Sequence, residues 1–275
     1  MGMHRSGTGL VANLLESLGL FLGAFKDANH ESYFFITIND WFLRISGGAW
    51  DNPYAFDRLM SNAEARRIIL KHTRKTLKSI HRIRYTGLKY YRTQDENLEY
   101  KIHWGWKDPR NTITLPLWLD LYPNAKIIHI SRHGLDVANS LLRRQKVWYQ
   151  RALFPSRYRR LRYFLRPFGG IYLRSVGFQT LDEGLKLWSV YMEKAVTSMT
   201  KYNNNFIEMR YEDLLVEPKK NILRLQDFCN LKSTSSKILN TIKKIDQTRA
   251  FAYKNNPKLE SVAIANSATL SKYGY

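Results

Sequence analysis

The sequence predicts an α/β fold, a mostly parallel central sheet flanked by helices, and three observations carry that prediction. A small-residue loop, Arg5-Ser6-Gly7-Thr8-Gly9, runs straight into an amphipathic helical pattern. The apolar run Ala125–Ser131 ends at Arg132 and gives way at once to a second helical pattern. Along the rest of the 275 residues, short strand-like runs alternate with longer helix-like ones, as in a parallel sheet covered by helices. No internal repeat is evident, and the length fits one sizeable domain or two small ones.

Taken in order, Leu10, Val11, Leu14, Leu15 and Leu18 recur at helical spacing and predict a helix over 9–19. An aromatic segment follows, His30-Glu31-Ser32-Tyr33-Phe34-Phe35 and then Asn39-Asp40-Trp41-Phe42, with no regular element predicted for it. Residues 62–82 suit a basic helix with Ala65, Ile68, Ile69, His72, Leu77 and Ile80 on its apolar side. Tyr100–Trp106 reads as a strand ending in Lys107-Asp108-Pro109-Arg110, and 111–121 as a helix. Pro123-Asn124 is a turn before the strand that ends at Arg132. Val137, Ala138, Leu141 and Leu142 then place Ser140 about two turns into the next helix. A long helix over 182–202, a turn at Asn203-Asn204-Asn205 and a strand from Phe206 to Met209 lead to Arg210-Tyr211. Beyond them Ile222, Leu223, Leu225, Phe228 and Leu231 keep helical spacing.

Two of these junctions have the chemistry of anion sites. In the first, unpaired backbone N–H groups open a helix whose dipole adds partial positive charge, and glycines let the backbone close on phosphate-like oxygens. Arg5, Ser6 and Thr8 add side chains to it. The Gly-Lys-Ser/Thr ending of a Walker A loop is missing, and the cation precedes the glycine. In the second, Arg132 leaves the carboxyl end of a strand, the edge at which open α/β sheets bind ligands. Arg132 and Ser140 are placed to converge on one anion.

Arg5-Ser6-Gly7-Thr8, the Arg132/Ser140 pair with Asp136-Val137-Ala138 between them, and Arg210-Tyr211-Glu212-Asp213-Leu214-Leu215 agree in type, order and spacing with one family. Together they resemble the PAPS-dependent sulfotransferases, over most of the chain. The resemblance is to bacterial-type members, with some likeness to glycan and tyrosyl-protein sulfotransferases. It implies a P-loop-like three-layer fold and a single domain over 1–275, with a basic aromatic insertion at about 143–175. It implies 3′-phosphoadenosine 5′-phosphosulfate as sulfuryl donor and no metal. By the same resemblance Arg5, Ser6, Gly7, Thr8 and Gly9 hold the 5′-phosphosulfate, Arg5 standing in the position of the catalytic cation. Arg132 and Ser140 hold the 3′-phosphate, and Tyr211 lies near the adenine. Relatives also carry an apolar strand before the loop. Only Met1-Gly2-Met3-His4 stand there, so the first strand is expected to be missing: either the start is truncated or mis-assigned, or the loop lacks its usual anchor.

Loss of a proton from the acceptor requires a general base. Glu31 leads, because His30-Glu31-Ser32-Tyr33-Phe34-Phe35 resembles the Glu-x-His-Phe-Phe segment of the glycan enzymes, with Tyr33 in the histidine's place. Asp108 is the alternative, and Lys107 is a candidate to bind the transferring group.

Composition agrees with this reading. Lys and Arg exceed Asp and Glu by 44 to 23, a net charge of +21 that favours polyanionic partners. Cys229 is the single cysteine, which leaves no intrachain disulfide; it sits in an apolar helical pattern as a buried thiol. The seven histidines show no metal-ligand spacing. Asn13 and Glu16 interrupt the Leu10–Ala24 stretch that otherwise resembles a signal-peptide core, and Gly2 with Ser6 fits only a loose myristoylation pattern. With no run near the ~20 apolar residues of a span, a cytoplasmic protein without a membrane span is expected. Between Asp136 and Asp182 there is no acidic residue. Arg143, Arg144, Lys146, Arg151, Arg157, Arg159, Arg160, Arg162, Arg166 and Arg174 are interleaved there with Tyr149, Phe154, Tyr158, Tyr163, Phe164, Phe168 and Tyr172. That stretch reads as a wall or lid for an anionic acceptor, a glycan among the candidates. A membrane-surface or nucleic-acid patch is the alternative, and no specific nucleic acid is expected. A nucleotide-dependent small-molecule kinase and a non-catalytic polyanion or nucleic-acid binder are the competing functions for the chain.

Overall fold

The computed structural model describes residues 1–91, 102–165, 178–202, 205–232, 242–243 and 245–275. Its principal elements are α1 (Thr8–Ser17), α2 (Tyr33–Ile45), α3 (Ala63–Lys78), α4 (Asn111–Leu121), β1 (Ile127–Ser131), α5 (Gly134–Leu153) and α6 (Arg157–Leu165). They are followed by α7 (Leu181–Lys201), β2 (Phe206–Arg210), α8 (Tyr211–Val216), α9 (Pro218–Cys229) and α10 (Pro257–Ala265). The architecture is mixed α/β and mostly helical. Among the described residues the sheet has two strands, β1 and β2, which run parallel with Ile127 opposite Phe206 and Ser131 opposite Arg210.

The predicted helices over 9–19, 62–82, 111–121 and 182–202 correspond to α1, α3, α4 and α7, and both strands at the sheet stand where they were expected. Local chemistry fixes several ends. Asn62 caps α3 by accepting from the Ala65 N–H at 2.9 Å. Thr180 and Glu183 form a reciprocal capping box at the start of α7. Two expectations differ. The aromatic segment given no element forms α2, whose Phe34, Phe35, Ile38, Phe42 and Leu43 are buried. The strand expected from Tyr100 to Trp106 is replaced by isolated parallel bridges, Phe21 with Trp104 and Glu31 with Lys107; Tyr100 and Lys101 lie outside the described residues. Asn203 and Asn204 of the predicted turn, and residues 166–175 of the basic stretch with Arg166 and Arg174, lie outside them too.

Among the described residues, apolar side chains form two clusters. Val11, Leu14 and Leu15 of α1 meet Ile130, Met209, Leu214, Ile222 and Leu225 in one. Phe35, Phe42, Trp118, Leu141, Trp188 and Tyr191 centre the other, on α2, α4, α5 and α7. Cys229, at the end of α9, packs against the first cluster, and burial raises its thiol to about 11, in keeping with an inert side chain.

No strand is assigned ahead of the Arg5–Gly9 loop, but the expectation that the loop lacks an anchor is corrected. The Met1 nitrogen donates to the Ile128 carbonyl at 2.5 Å and the Met1 carbonyl accepts from the Ile130 N–H at 3.0 Å, the alternation of a parallel ladder. Gly2 N–H donates to Thr112 Oγ1 at 2.9 Å. A Cβ on Gly2 would stand 2.3 Å from the Ile130 carbonyl oxygen, so only glycine lets the chain lie this close to β1.

Candidate anion and transfer site

The loop after Met3 is shaped by its own hydrogen bonds. Ser6 donates to the Met3 carbonyl through both its backbone N–H, at 3.1 Å, and its hydroxyl, at 2.7 Å. Ser6 therefore closes the turn, and its donors point inward. Gly7 takes left-handed backbone angles (φ 95°) directly against the Tyr211 ring; a Cβ there would fall 2.2 Å from that ring. Thr8 is buried and begins α1, whose amino end receives no side-chain cap. The N–H groups of its first turn are accordingly left to whatever anion sits before them. Gly9, in that turn, faces the Asn29 carbonyl.

The two motifs seen in the sequence meet here. Arg5 Nε donates to Ser140 Oγ at 2.8 Å, joining residues 135 positions apart. The Arg132 guanidinium lies over the Tyr211 ring, 4.5 Å from its centroid, and donates to the Arg249 carbonyl at 3.2 Å. An ion pair to Asp136 at 3.4 Å holds it from the other side, and Trp188 Nε1 fixes the Arg132 carbonyl at 3.0 Å. Arg132 Nε is buried without a hydrogen-bond partner. Burial, followed by the charges of Arg249 and Arg132, lowers the Arg5 pKa, the mark of cations held close together. A concentration of donors and positive charge at an uncapped helix start fits a phosphate or sulfate group. Tyr211, expected beside the adenine, underlies Gly7 and Arg132.

A second cluster lies beside the first. The Asp27–Glu31 turn is tied to α1 by Glu16, which pairs with Lys26 and with His30 Nδ1 at 2.6 Å. That turn delivers Glu31, whose carboxylate accepts from Lys107 Nζ at 2.7 Å and stands 3.7 Å from Arg110 Nη1. Burial raises the Glu31 pKa, and nearby Asp108 pushes it the same way against Lys107 and Arg110. Asp108 has no exposed surface. Its oxygens accept from Arg110 Nη1 at 2.9 and 3.0 Å, from the Arg110 N–H at 2.9 Å and from Asn39 Nδ2 at 2.9 Å. Asn39 is itself saturated by Asn111, Thr114 and Trp118. Asp108 thus anchors Arg110, while Glu31 keeps one oxygen less engaged.

His4 stands between the two clusters. It packs edge-on to Trp50 with ring centroids 4.6 Å apart, and its Nε2 is buried without a hydrogen-bond partner. Burial, then the charges of Arg144, Arg110, Lys107 and Arg5, drive its pKa well below the ordinary value, so the imidazole is neutral. Sequence reasoning missed four members of this constellation, His4, Asn39, Arg110 and Arg249. Arg110 carried a visible signal, a cation next to the candidate Asp108; the others reach the site by tertiary contact.

A protein-family model described as the sulfotransferase family matches residues 1–235 of this chain. Comparison with curated proteins returns no match.

Proposed function

The chain belongs to the sulfotransferase family, and from that premise we propose that it transfers a sulfuryl group from 3′-phosphoadenosine 5′-phosphosulfate to a hydroxyl or amine of an acceptor. The observation that carries this reading is the Arg5–Ser140 hydrogen bond with Arg132 alongside, which supports two anion subsites side by side, one for each phosphate end of the donor. In this reading Arg5, Gly7, Thr8 and Gly9 hold the 5′ end, with Ser6 shaping the loop. Arg132 and Ser140 hold the 3′-phosphate, Arg249 adds a third cation, and Tyr211 supports both subsites. The parallel bridges at Phe21 and Trp104, and the pairing of Met1 with β1, favour a P-loop-like three-layer arrangement.

The donor supplies an activated sulfuryl group whose transfer breaks the bond from sulfur to the bridging phosphate oxygen. Positioning and electrostatics supply most of the catalysis, as in phosphoryl transfer. Glu31 accepts the acceptor's proton as the acceptor atom bonds to sulfur. A carboxyl raised by burial is better matched to that task than an exposed one. Lys107 orients Glu31 and adds charge at the transferring group. Arg5 and the first-turn N–H groups of α1 meet the electron pair left on the departing phosphate oxygen; a guanidinium does this as a fixed cation and not as a proton donor. Asp108 serves by fixing Arg110. Lys107 and Arg110 are offset by Glu31, Asp108 and Asp40, so a preference for a negatively charged acceptor, such as an acidic glycan, rests on Arg144 and the basic stretch that follows it. The expected setting is cytoplasmic.

Titration with 3′-phosphoadenosine 5′-phosphate and with adenosine 5′-phosphate, both in chelator, tests the reading. The sulfotransferase prefers the bisphosphate and ignores the chelator. A kinase demands Mg²⁺, and a polyanion binder separates the two nucleotides poorly; either result rejects the proposal.

A further inference from the structure

The basic stretch divides in the structure. Arg144, on α5, lies over the rings of Trp50 and Trp148, at 5.1 and 4.7 Å, next to the site. The chain beyond it behaves differently. After α5 ends, Pro155-Ser156 turns the backbone, and Ser156 starts α6 by accepting from the Arg160 N–H at 3.0 Å. Along α6, Tyr158, Leu161, Phe164 and Leu165 fall at i, i+3, i+6 and i+7 and so share one face. Arg159 lies on the opposite face, and Arg160 flanks the apolar side.

An amphipathic helix in a folded protein buries its apolar face; this one does not. Leu161 is 57 % exposed, Tyr158 and Leu165 67 %, and Phe164 80 %, while Leu153 and Phe154 at the end of α5 stand at 73 and 81 %. Scattered apolar residues are normal on a surface, but six large ones on consecutive turns mark a contact region. The chemistry of the partner follows from what surrounds them. No acidic residue occurs between Asp136 and Asp182, and Arg151, Arg157 and Arg160 lie beside the patch, with Arg159 on the far side of the same short helix. A nucleic acid or acidic glycan would satisfy the cations, yet aliphatic Leu153, Leu161 and Leu165 gain nothing from a polyelectrolyte in water. A surface that is anionic at its face and apolar just beneath satisfies both sets at once.

We propose that α6, with the end of α5, lays this protein onto anionic lipid bilayers, the apolar face entering the headgroup–acyl boundary and the arginines pairing with lipid phosphates. No described helix is long and apolar enough to cross a membrane, and none needs to be for this mode of attachment. The inference does not rest on sulfuryl transfer, since it involves none of the site residues.

The test is sedimentation of the full chain with vesicles of phosphatidylcholine alone or with about a third phosphatidylglycerol, at physiological ionic strength. Wild type should bind the anionic vesicles at least ~10-fold more tightly than the neutral ones. The combined Phe154→Ser, Leu161→Ser, Phe164→Ser and Leu165→Ser variant should lose on the order of 10²-fold in affinity for anionic vesicles while keeping its affinity for soluble heparin. Arg157→Gln, Arg159→Gln and Arg160→Gln together should lose a similar factor for vesicles, since each basic residue near an anionic surface is worth roughly fivefold. The arginine variant disturbs no apolar contact, so it decides the matter should the serine variant fold poorly. Wild type that ignores anionic vesicles overturns the proposal. So does a folded serine variant that binds them as wild type does, or an arginine variant that loses heparin but not vesicles; each of these makes the stretch a plain polyanion or acceptor surface.

Discussion

Replacing Arg132 by alanine removes the side chain that the account places on the 3′-phosphate. A charge-assisted contact of this kind is worth ~1.5–3 kcal/mol, so binding of 3′-phosphoadenosine 5′-phosphate should weaken roughly 10- to 150-fold. The same substitution has a structural cost. Arg132 pairs with Asp136, whose side chain is almost fully buried, and removing that charge partner, with only the Ala252 and Tyr253 N–H groups left to the carboxylate, costs about 1–3 kcal/mol of folding stability. It also removes the guanidinium from the Tyr211 ring. These losses weigh on every ligand alike, so affinity for the bisphosphate alone is ambiguous and the ratio to adenosine 5′-phosphate is the measurement. Calorimetric titration with both nucleotides, at a temperature well below the variant's melting point, supplies it. Arg132→Gln, which keeps a polar side chain without the charge and without the reach of Nη2 to Asp136 and the Arg249 carbonyl, should lose the same discrimination. Equal losses for the two nucleotides would remove Arg132 from the 3′-phosphate.

Further predictions bear on the base, the loop and the buried amide. Glu31→Gln should lower kcat by ~10²–10⁴ with nucleotide affinity nearly unchanged, and a larger fall in Asp108→Asn would move the role there. Because burial raises the Glu31 pKa and the base acts when ionised, the wild-type rate should fall as pH drops through a value above the ordinary 4.5 of a glutamate, and Glu31→Gln should lack that limb. Gly7→Ala forces a side chain into left-handed backbone and into the Tyr211 ring, so it should cost at least ~1 kcal/mol in thermal melts and abolish tight nucleotide binding; wild-type affinity would refute the loop geometry. Asn39→Ala strands Trp118 Nε1 in the core and removes a donor from buried Asp108, while Thr114 Oγ1 keeps the Arg110 carbonyl, so it should cost ~1–3 kcal/mol in denaturant unfolding. A loss under ~1 kcal/mol would show that those groups find other partners.

What could be read from the sequence was local. Arg5–Gly9, β1, Arg132 and Ser140 announce themselves because a periodic apolar pattern fixes where each strand and helix lies, and so which side chains leave the sheet edge. The pattern of α4 gave its limits, Asn111 and Leu121, for the same reason. The helix α2 was harder: Phe34, Phe35, Ile38 and Phe42 keep helical spacing, but aromatic and β-branched residues compete with that signal by favouring strands. The strand expected at Tyr100–Trp106 dissolves because a single bridge to Phe21 is all the pairing Trp104 makes. Arg249 and Asn39 act through partners more than 65 positions away, and no window of sequence contains both ends of such a contact.

The central claim is tested most directly by following the sulfur itself. The full chain, given donor labelled in its sulfuryl group and a panel of glycans, lipids and phenols in the presence of chelator, should pass label to an acceptor and release the nucleotide bisphosphate in equal amount, and Glu31→Gln should lose that transfer. Transfer of a phosphoryl group from ATP to the same panel, dependent on Mg²⁺ and without movement of the sulfur label, would contradict the account.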